Sequence, residues 1–306
     1  MPERALRVAV IGSGNIGIDL CERLLRDPDF EVVALVGRRT DSPGLKRFES
    51  RIPHIISEGI RGLLPIASDL DGIFDASSAL DHELHWRALS PLGLWMIDLT
   101  PSQIGHPMVP ALVEKIPSME VLGRTQSANF SMVTCGGQSA APLLYSIATH
   151  AQGIREVEVS SSIAALSAGP ATHQNIDHYI QSTEGLASLI SGSASVKAIL
   201  VLNPATPPVM MRTTVTVEAE GFDLAAIAAS CVSIAREIRE AVPGYEITVS
   251  PHSPQPTRIV VSAKVEGAGY YLPKYAGNLD IINAAAVETA RKHGQAVQLI
   301  CERSEL

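Results

Sequence analysis

Between Arg7 and Leu99, short apolar runs take turns with stretches of helical period. Arg7–Ile11, Glu31–Val36, Ile73–Ala76 and Leu94–Leu99 show little polar alternation, as strands covered on both faces do. Ile16–Arg26 sets Ile16, Leu20 and Leu24 on one stripe, and Ala79–Leu89 has helical spacing between the last two runs. This alternation predicts a parallel sheet with crossover helices. Ligands of such sheets bind just past the strand ends, where Gly12–Gly17 and the break at Asp98-Leu99-Thr100-Pro101 fall.

After about Val133 the texture changes. Glu156–Ile163, Arg212–Glu218, Ile247–Val249 and Arg258–Val265 alternate like strands with one wet face. Among them lie two long helical stretches, Ile176–Ile190 and Leu224–Ala241. The second is capped by Asp223, carries apolar residues at 224, 227, 228, 231, 234, 235 and 238, and stops at Pro243-Gly244. A mainly antiparallel sheet with helices on one face, an α+β domain, is expected here. A last helix is expected over Leu279–Lys292, after Gly277-Asn278.

Composition narrows the class. At ~150 residues per domain, 306 residues make about two domains. With 46% hydrophobic and 18% charged residues the chain is globular rather than disordered. Its most apolar stretch, 222–242, still carries Asp223, Arg236, Glu237, Arg239 and Glu240, so no membrane span of ~20 apolar residues is expected. A net charge of −8 argues against nucleic acid as a partner. Cys21, Cys135, Cys231 and Cys301 form no CxxC pair, and the chain opens directly into a strand. A cytoplasmic location with free thiols is expected. Without HxxxH or a carboxylate cluster, no metal site is expected.

Gly12-Ser13-Gly14-Asn15-Ile16-Gly17 is a GxGxxG turn between a strand and a helix. The first glycine permits the tight turn, the second lets a pyrophosphate approach the backbone, and the third lets helix and strand pack closely. A helix N-terminus there favours an anion. The motif points to a dinucleotide, NAD or NADP. The second strand ends in Arg38-Arg39-Thr40-Asp41, about where an acid normally holds the adenosine ribose. Either arginine can pair with a 2′-phosphate; equally, both are solvated charges and Asp41 reaches the ribose.

Cys135 follows a strand-like Phe130–Val133 and precedes Gly136-Gly137 and a helical stretch over Ser139–Thr149. A cysteine at a helix N-terminus is expected to have a lowered pKa, and two glycines would open backbone amides to a developing oxyanion. Cys21 and Cys231, mid-helix among apolar residues, read as structural. A dinucleotide fold with a nucleophilic cysteine suggests aldehyde oxidation through a thioester. No general base is evident; His173 and His178 lie near by sequence, among nine scattered histidines.

The stretches VAVIGSGNIGIDL (8–20), IDLTP (97–101), MVTCGGQ (132–138), SAGPATHQNID (167–177), NPATPPVMMR (203–212) and YLPKYAGNLDI (271–281) carry a resemblance across nearly the whole chain. The chain resembles the acylating acetaldehyde dehydrogenases, which convert acetaldehyde, NAD and coenzyme A to acetyl-CoA and NADH. The resemblance implies an N-terminal Rossmann-type dinucleotide-binding domain over 1–134. An α+β catalytic and oligomerisation domain would follow over 135–277, with a C-terminal helix, 278–306, returning to the first. It implies that Ser13, Gly14, Asn15 and Ile16 hold the pyrophosphate and that Cys135 is the thioester nucleophile. Ser167, Ala168, Gly169, Pro170, Ala171, Thr172, His173, Gln174 and Asn175 would form a loop near nicotinamide and substrate, and Asn278 would bond the nicotinamide amide. By position alone, Asn175 and Asn278 read equally as helix caps. A homodimer and a 4-hydroxy-2-oxoacid aldolase partner are implied as well.

Three departures accompany the resemblance. Arg38-Arg39 replaces a common Ile-Asp, Thr213 replaces an acid thought to neighbour the cysteine, and the stretch between Val249 and Arg258 is short. Competing readings are an NADPH-linked acyl-thioester reductase for another acyl chain, a semialdehyde dehydrogenase-like enzyme, and a nucleotide sensor without activity.

Overall fold

The computed structural model describes residues 4–169, 173 and 175–304, with side chains described as far as residue 298. The chain divides into two compact units, one running to Val113 and including Pro117–Met132 and the chain from Ala285 onward, the other comprising Glu114–Ile116 and Val133–Ala284.

The first unit is built on β1 (Leu6–Ile11), β2 (Phe30–Val36), β3 (His54–Ile56), β4 (Gly72–Asp75), β5 (Trp95–Asp98), β6 (His106–Pro107) and β7 (Asn129–Ser131). Their order is β3-β2-β1-β4-β5-β7-β6, with every pairing parallel. Val8, Ala9 and Val10 in β1 and Ile73 and Phe74 in β4 are fully buried, as runs without alternation require. Helix α1 (Asn15–Leu24) leaves the end of β1. Short helices α2 (Pro43–Lys46) and α3 (Ile60–Leu63) flank β3, and α4 (Ala79–Leu89) joins β4 to β5. Strand order reverses at β1, between β2 and β4, which is the switch point of a doubly wound sheet. The short strands β3 and β6 have no period to read and went unanticipated, while β7 falls on the strand expected just before Cys135.

The second unit carries β8 (Ala151–Ala164), β9 (Val196–Asn203), β10 (Met211–Phe222), β11 (Tyr245–Gln255) and β12 (Arg258–Val265) in the order β11-β12-β10-β8-β9. All pairings are antiparallel except β8 with β9. Helices α5 (Cys135–Ala148), α6 (Ile176–Ser191) and α7 (Leu224–Ala241) pack on the sheet, and Val157, Val159, Ile163, Met211, Val215, Val217, Ile259 and Val261 form its buried face. Two hydroxyls interrupt that apolar set: Ser161 and Thr213, direct partners across β8 and β10. Helix α8 (Gly277–Ser304) is shared between the units: 277–284 cluster with the second, and the rest with the first. Among the described residues no helix is long and apolar enough to cross a membrane.

Candidate active site

In the first unit, the glycine-rich turn sits at the strand-order reversal. Gly12 has φ +114° and lies so close to Ala76, just past β4, that a Cβ would collide with that carbonyl. A Cβ at Gly17 would strike the Gly12 carbonyl, so the third glycine does bring helix and turn together. Gly14 faces open space and is the N-cap of α1, with no side-chain cap bond. Ser13 is braced from behind: its Oγ is 2.9 Å from Ser42 Oγ, and Gly44 packs under its carbonyl. Gly14 and Asn15 are exposed, while Ile16 is half-buried.

Arg38 and Arg39 lie past the end of β2, each with a side chain 76% exposed. Arg38 Nη1 donates to Asp81 Oδ2 at 3.0 Å, in the first turn of α4. Arg39 makes a bidentate pair with Asp41, donating to its two oxygens at 2.9 and 2.7 Å, and this pair pulls the Asp41 carboxyl below its ordinary pKa. Asp41 is therefore engaged by its neighbour.

In the second unit, Cys135 is the first residue of α5. Just before it, Val133 has φ 56°, a left-handed conformation costly for a β-branched residue, and this turns the chain sharply into the helix. Thr134 is the N-cap: its Oγ1 accepts from the Gly137 amide at 2.8 Å and lies 2.7 Å from Thr183 Oγ1 on α6. Cys135 Sγ is 4.0 Å from Tyr179 Oη on α6. Tyr179 is hydrogen-bonded to Ser161, whose Oγ is 3.2 Å from Thr213 Oγ1.

Two expectations are corrected here. The thiol is not predisposed to ionise: burial pushes Cys135 up to about 11, against the opposing pull of Tyr179 and of the Cys135 and Gly136 amides. The glycines, moreover, do not open the backbone to a ligand. A Cβ on Gly136 would collide with Tyr179 Oη and crowd Ser161 Oγ, one on Gly137 would press on Leu186, and the Gly137 amide is committed to Thr134. Both are glycines because α6 and β8 approach the helix start so closely.

Cys21 and Cys231 are buried within helices, and burial raises both thiols, Cys231 to about 11. Ser167 Oγ donates to the Ala164 carbonyl at 2.8 Å, Ala168 is half-buried and Gly169 exposed. His173 is exposed, its Nδ1 3.0 Å from the Gly169 carbonyl. Pro170, Ala171, Thr172 and Gln174 lie outside the described residues. Asn175 is the N-cap of α6 by position, yet its side chain makes no cap bond. Asn278 lies inside the first turn of α8 rather than at its cap, and its buried Oδ1 has no hydrogen-bond partner.

The prokaryotic acetaldehyde dehydrogenase dimerisation family matches residues 135–273. An acetaldehyde dehydrogenase of Pectobacterium atrosepticum is 42% identical over 93% of this chain and 94% of its own. The chain belongs to the acetaldehyde dehydrogenase family. Among solved structures, the fold of this acetaldehyde dehydrogenase family member is shared with aspartate semialdehyde dehydrogenase II of Vibrio cholerae, with a TM-score of 0.60, 13% identity and coverage of 98% and 99% of the two chains. It is shared too with the NADP-bound aspartate semialdehyde dehydrogenase of Candida albicans, with a TM-score of 0.66, 10% identity and coverage of 95% and 99%.

The sequence reading of this acetaldehyde dehydrogenase family enzyme missed Tyr179 and Ser161. A signal for Ser161 was present: it occupies an inward position in a strand whose other inward residues are Val157, Val159 and Ile163. Tyr179 lies 44 residues from Cys135, and no local pattern joins them.

Proposed function

We propose that this enzyme is a CoA-acylating aldehyde dehydrogenase, acting on a short-chain aldehyde such as acetaldehyde, with Cys135 as nucleophile. The observation that carries the reading is Cys135 itself, a half-buried thiol at a helix start, set by a strained Val133 and a capping Thr134. Its sulfur attacks the aldehyde carbon to form a hemithioacetal. Loss of hydride leaves a Cys135 thioester, and the thiol of coenzyme A displaces the acyl group and restores the cysteine. When bound, NAD or NADP supplies the hydride acceptor.

The residues present fit such a cofactor. Gly14 leaves room at the start of α1 for a pyrophosphate, and the unpartnered Asn278 Oδ1 is an acceptor suited to a carboxamide N–H. We assign the dinucleotide to Gly12–Gly17 with Arg38 and Arg39, and the residues from Ser167 to Asn175 to the nicotinamide and the substrate. We place the enzyme in the cytoplasm, where a working thiol stays reduced. A homodimer through the second unit agrees with the name of its matching family. The turn between β11 and β12 is only Pro256-Thr257, a short stretch in the region that bears on an aldolase partner, and co-purification tests that partnership.

Cys135→Ser tests the whole reading. CoA-dependent aldehyde oxidation should disappear while dinucleotide binding persists, and Cys231→Ser should leave turnover near wild type. Turnover above a few per cent in Cys135→Ser would remove the nucleophile assignment.

A further inference from the structure

Three hydroxyls from three separate elements meet behind Cys135: Tyr179 of α6, Ser161 of β8 and Thr213 of β10. Ser161 and Thr213 are 1% and 0% exposed, in strand positions otherwise filled by valine, isoleucine, methionine and alanine. Burying a hydroxyl in such a row is unfavourable unless it is paired, and here the pairing leads to one sulfur. Gly136 completes the arrangement, because any side chain there would occupy the space into which Tyr179 Oη and Ser161 Oγ reach.

We propose that Tyr179, Ser161 and Thr213 form a reversible hydroxyl chain that turns its terminal O–H onto Cys135 Sγ and holds the sulfur as a thiolate for attack. This rests on Cys135 being the nucleophile. In the resting direction the thiol donates to Tyr179 Oη, as the geometry records, and the hydroxyls donate onward, away from the sulfur. Each hydroxyl has one donor and two acceptor sites, so the same positions support the opposite direction. Thr213 then donates to Ser161, Ser161 to Tyr179, and Tyr179 to the thiolate. No proton moves along the chain; the O–H bonds only rotate. The thiol proton leaves to water through the part of Cys135 that remains accessible, and the electron pair stays on sulfur.

Thr213 decides the direction. A carboxylate at that position would accept hydrogen bonds only. It would hold Ser161 and Tyr179 pointing away from the sulfur and would place a like charge behind a thiolate. A neutral hydroxyl at 213 leaves the chain free to reverse. Among the described residues, Tyr179 is the titratable side chain that acts on Cys135, with the Cys135 and Gly136 amides the other groups that favour the anion. Tyr179 stays a neutral phenol, since burial carries its own pKa well above the ordinary value. These three are positioning residues, acting through the sulfur.

The test is the pH profile of Cys135 alkylation by iodoacetamide, read by mass spectrometry of the Cys135 peptide and therefore independent of turnover. In Tyr179→Phe, alkylation at pH 7.5 should slow about tenfold or more, the loss of one hydrogen bond to a charged group, and the profile should move to higher pH. Thr213→Val should move it the same way by a smaller amount, and Thr213→Ser should restore the wild-type profile. kcat should fall in step with alkylation while the aldehyde KM holds. Should Tyr179→Phe fail to fold, the Thr213→Val and Thr213→Ser pair decides. Profiles that superimpose on wild type would overturn the proposal, leaving the hydroxyls as packing. Turnover by Cys135→Ser would instead remove the nucleophile reading, a separate result from the alkylation profile.

Discussion

Arg38 Nη1 lies 3.0 Å from Asp81 Oδ2, so the arginine that follows β2 is already held by a carboxylate from the start of α4. A 2′-phosphate bound at this position would have to compete with Asp81 for the guanidinium. The pair is exposed, and such pairs contribute ~1 kcal/mol at most. A charge-assisted bond to phosphate is worth ~1.5–3 kcal/mol, so a 2′-phosphate bound here is expected to outcompete Asp81.

From that competition we predict that NADP(H) is used comparably to NAD(H) or better. Arg38→Asp should shift the kcat/KM ratio toward NAD by about tenfold, nearer the low end because Asp81 offsets part of the gain. Asp81→Asn should shift it toward NADP, since Arg38 loses its competitor. Steady-state kinetics with both cofactors decides it: a wild-type preference for NAD of about a hundredfold would make these arginines ordinary surface charges.

Glu22, buried on α1, receives three arginines. Arg51 donates to both its oxygens at 2.8 and 3.0 Å, Arg47 to one at 3.0 Å and Arg26 to one at 2.8 Å. Led by the Arg51 bonds, they hold its carboxyl down to about 2. Removing the charge leaves three cations facing one another, but each is 39–48% exposed and partly solvated. Glu22→Gln should therefore cost about 2 kcal/mol, below the ~3–5 expected for a fully buried pair. Because Ser42 and Gly44, at the start of the short helix that Arg47 caps, brace Ser13, the same variant should raise the dinucleotide Kd severalfold. Denaturant melts and cofactor titration measure the two effects, and an unchanged Kd would uncouple this cluster from the turn.

Much of this was legible before the structure. Val8, Ala9 and Val10 announce a strand buried on both faces, and Gly12 and Gly17 are glycines for the backbone contacts that the motif anticipates. Where reading failed, tertiary contacts had overridden local preference. Helix α5 starts at Cys135 rather than near Ser139, despite Gly136, Gly137 and Pro142, because Thr134 caps it and α6 packs on the glycines. Strand β11 runs to Gln255 through Pro251 and Pro254, residues that signal a loop. It is an edge strand with register shifts against β12, the setting in which prolines are tolerated. The lowered pKa expected for Cys135 considered the helix end but not its burial, which dominates.

The outward face of the second sheet predicts its assembly. Ser160, Ser162, Thr214, Thr216 and Ser262 lie there half-buried, with Thr214 Oγ1 2.7 Å from Ser262 Oγ, opposite the face that packs the helices. Small hydroxyl side chains let two such sheets approach closely and match donors with acceptors. A dimer is expected by light scattering at micromolar concentration, and Thr214→Arg should shift it to monomer. A wild-type monomer under those conditions would refute the assignment of this face.

His293 sets a pH limit on the first unit. Its ring is fully buried in α8, edge-to-face with Phe130 at 4.9 Å and with Trp95 at 6.3 Å. Nδ1 accepts from the Gly123 amide at 3.0 Å, and Nε2 faces the Gln126 carbonyl at 3.4 Å, which fixes the neutral tautomer with hydrogen on Nε2. A second proton would have to sit on Nδ1, against the Gly123 N–H. Burial lowers the pKa to about 4, while the unfolded chain titrates near 6.5. Between those values the unfolded state binds a proton that the folded state refuses, so stability falls as pH drops from about 6.5 to 4. The full loss is on the order of 3 kcal/mol. His82, raised by its buried neighbours Asp75 and Asp98, acts with the opposite sign, but its contribution is complete below about 6.5. Asp98, raised by burial, also gains stability on acidification and partly masks the trend. The difference between wild type and His293→Gln isolates the histidine. At pH 7.5 the wild type should be the more stable, and by pH 4.5 the gap should have closed or reversed. Denaturation midpoints at the two pH values measure it, and a gap independent of pH would mean that His293 takes up its proton as readily in the folded protein as in the unfolded chain.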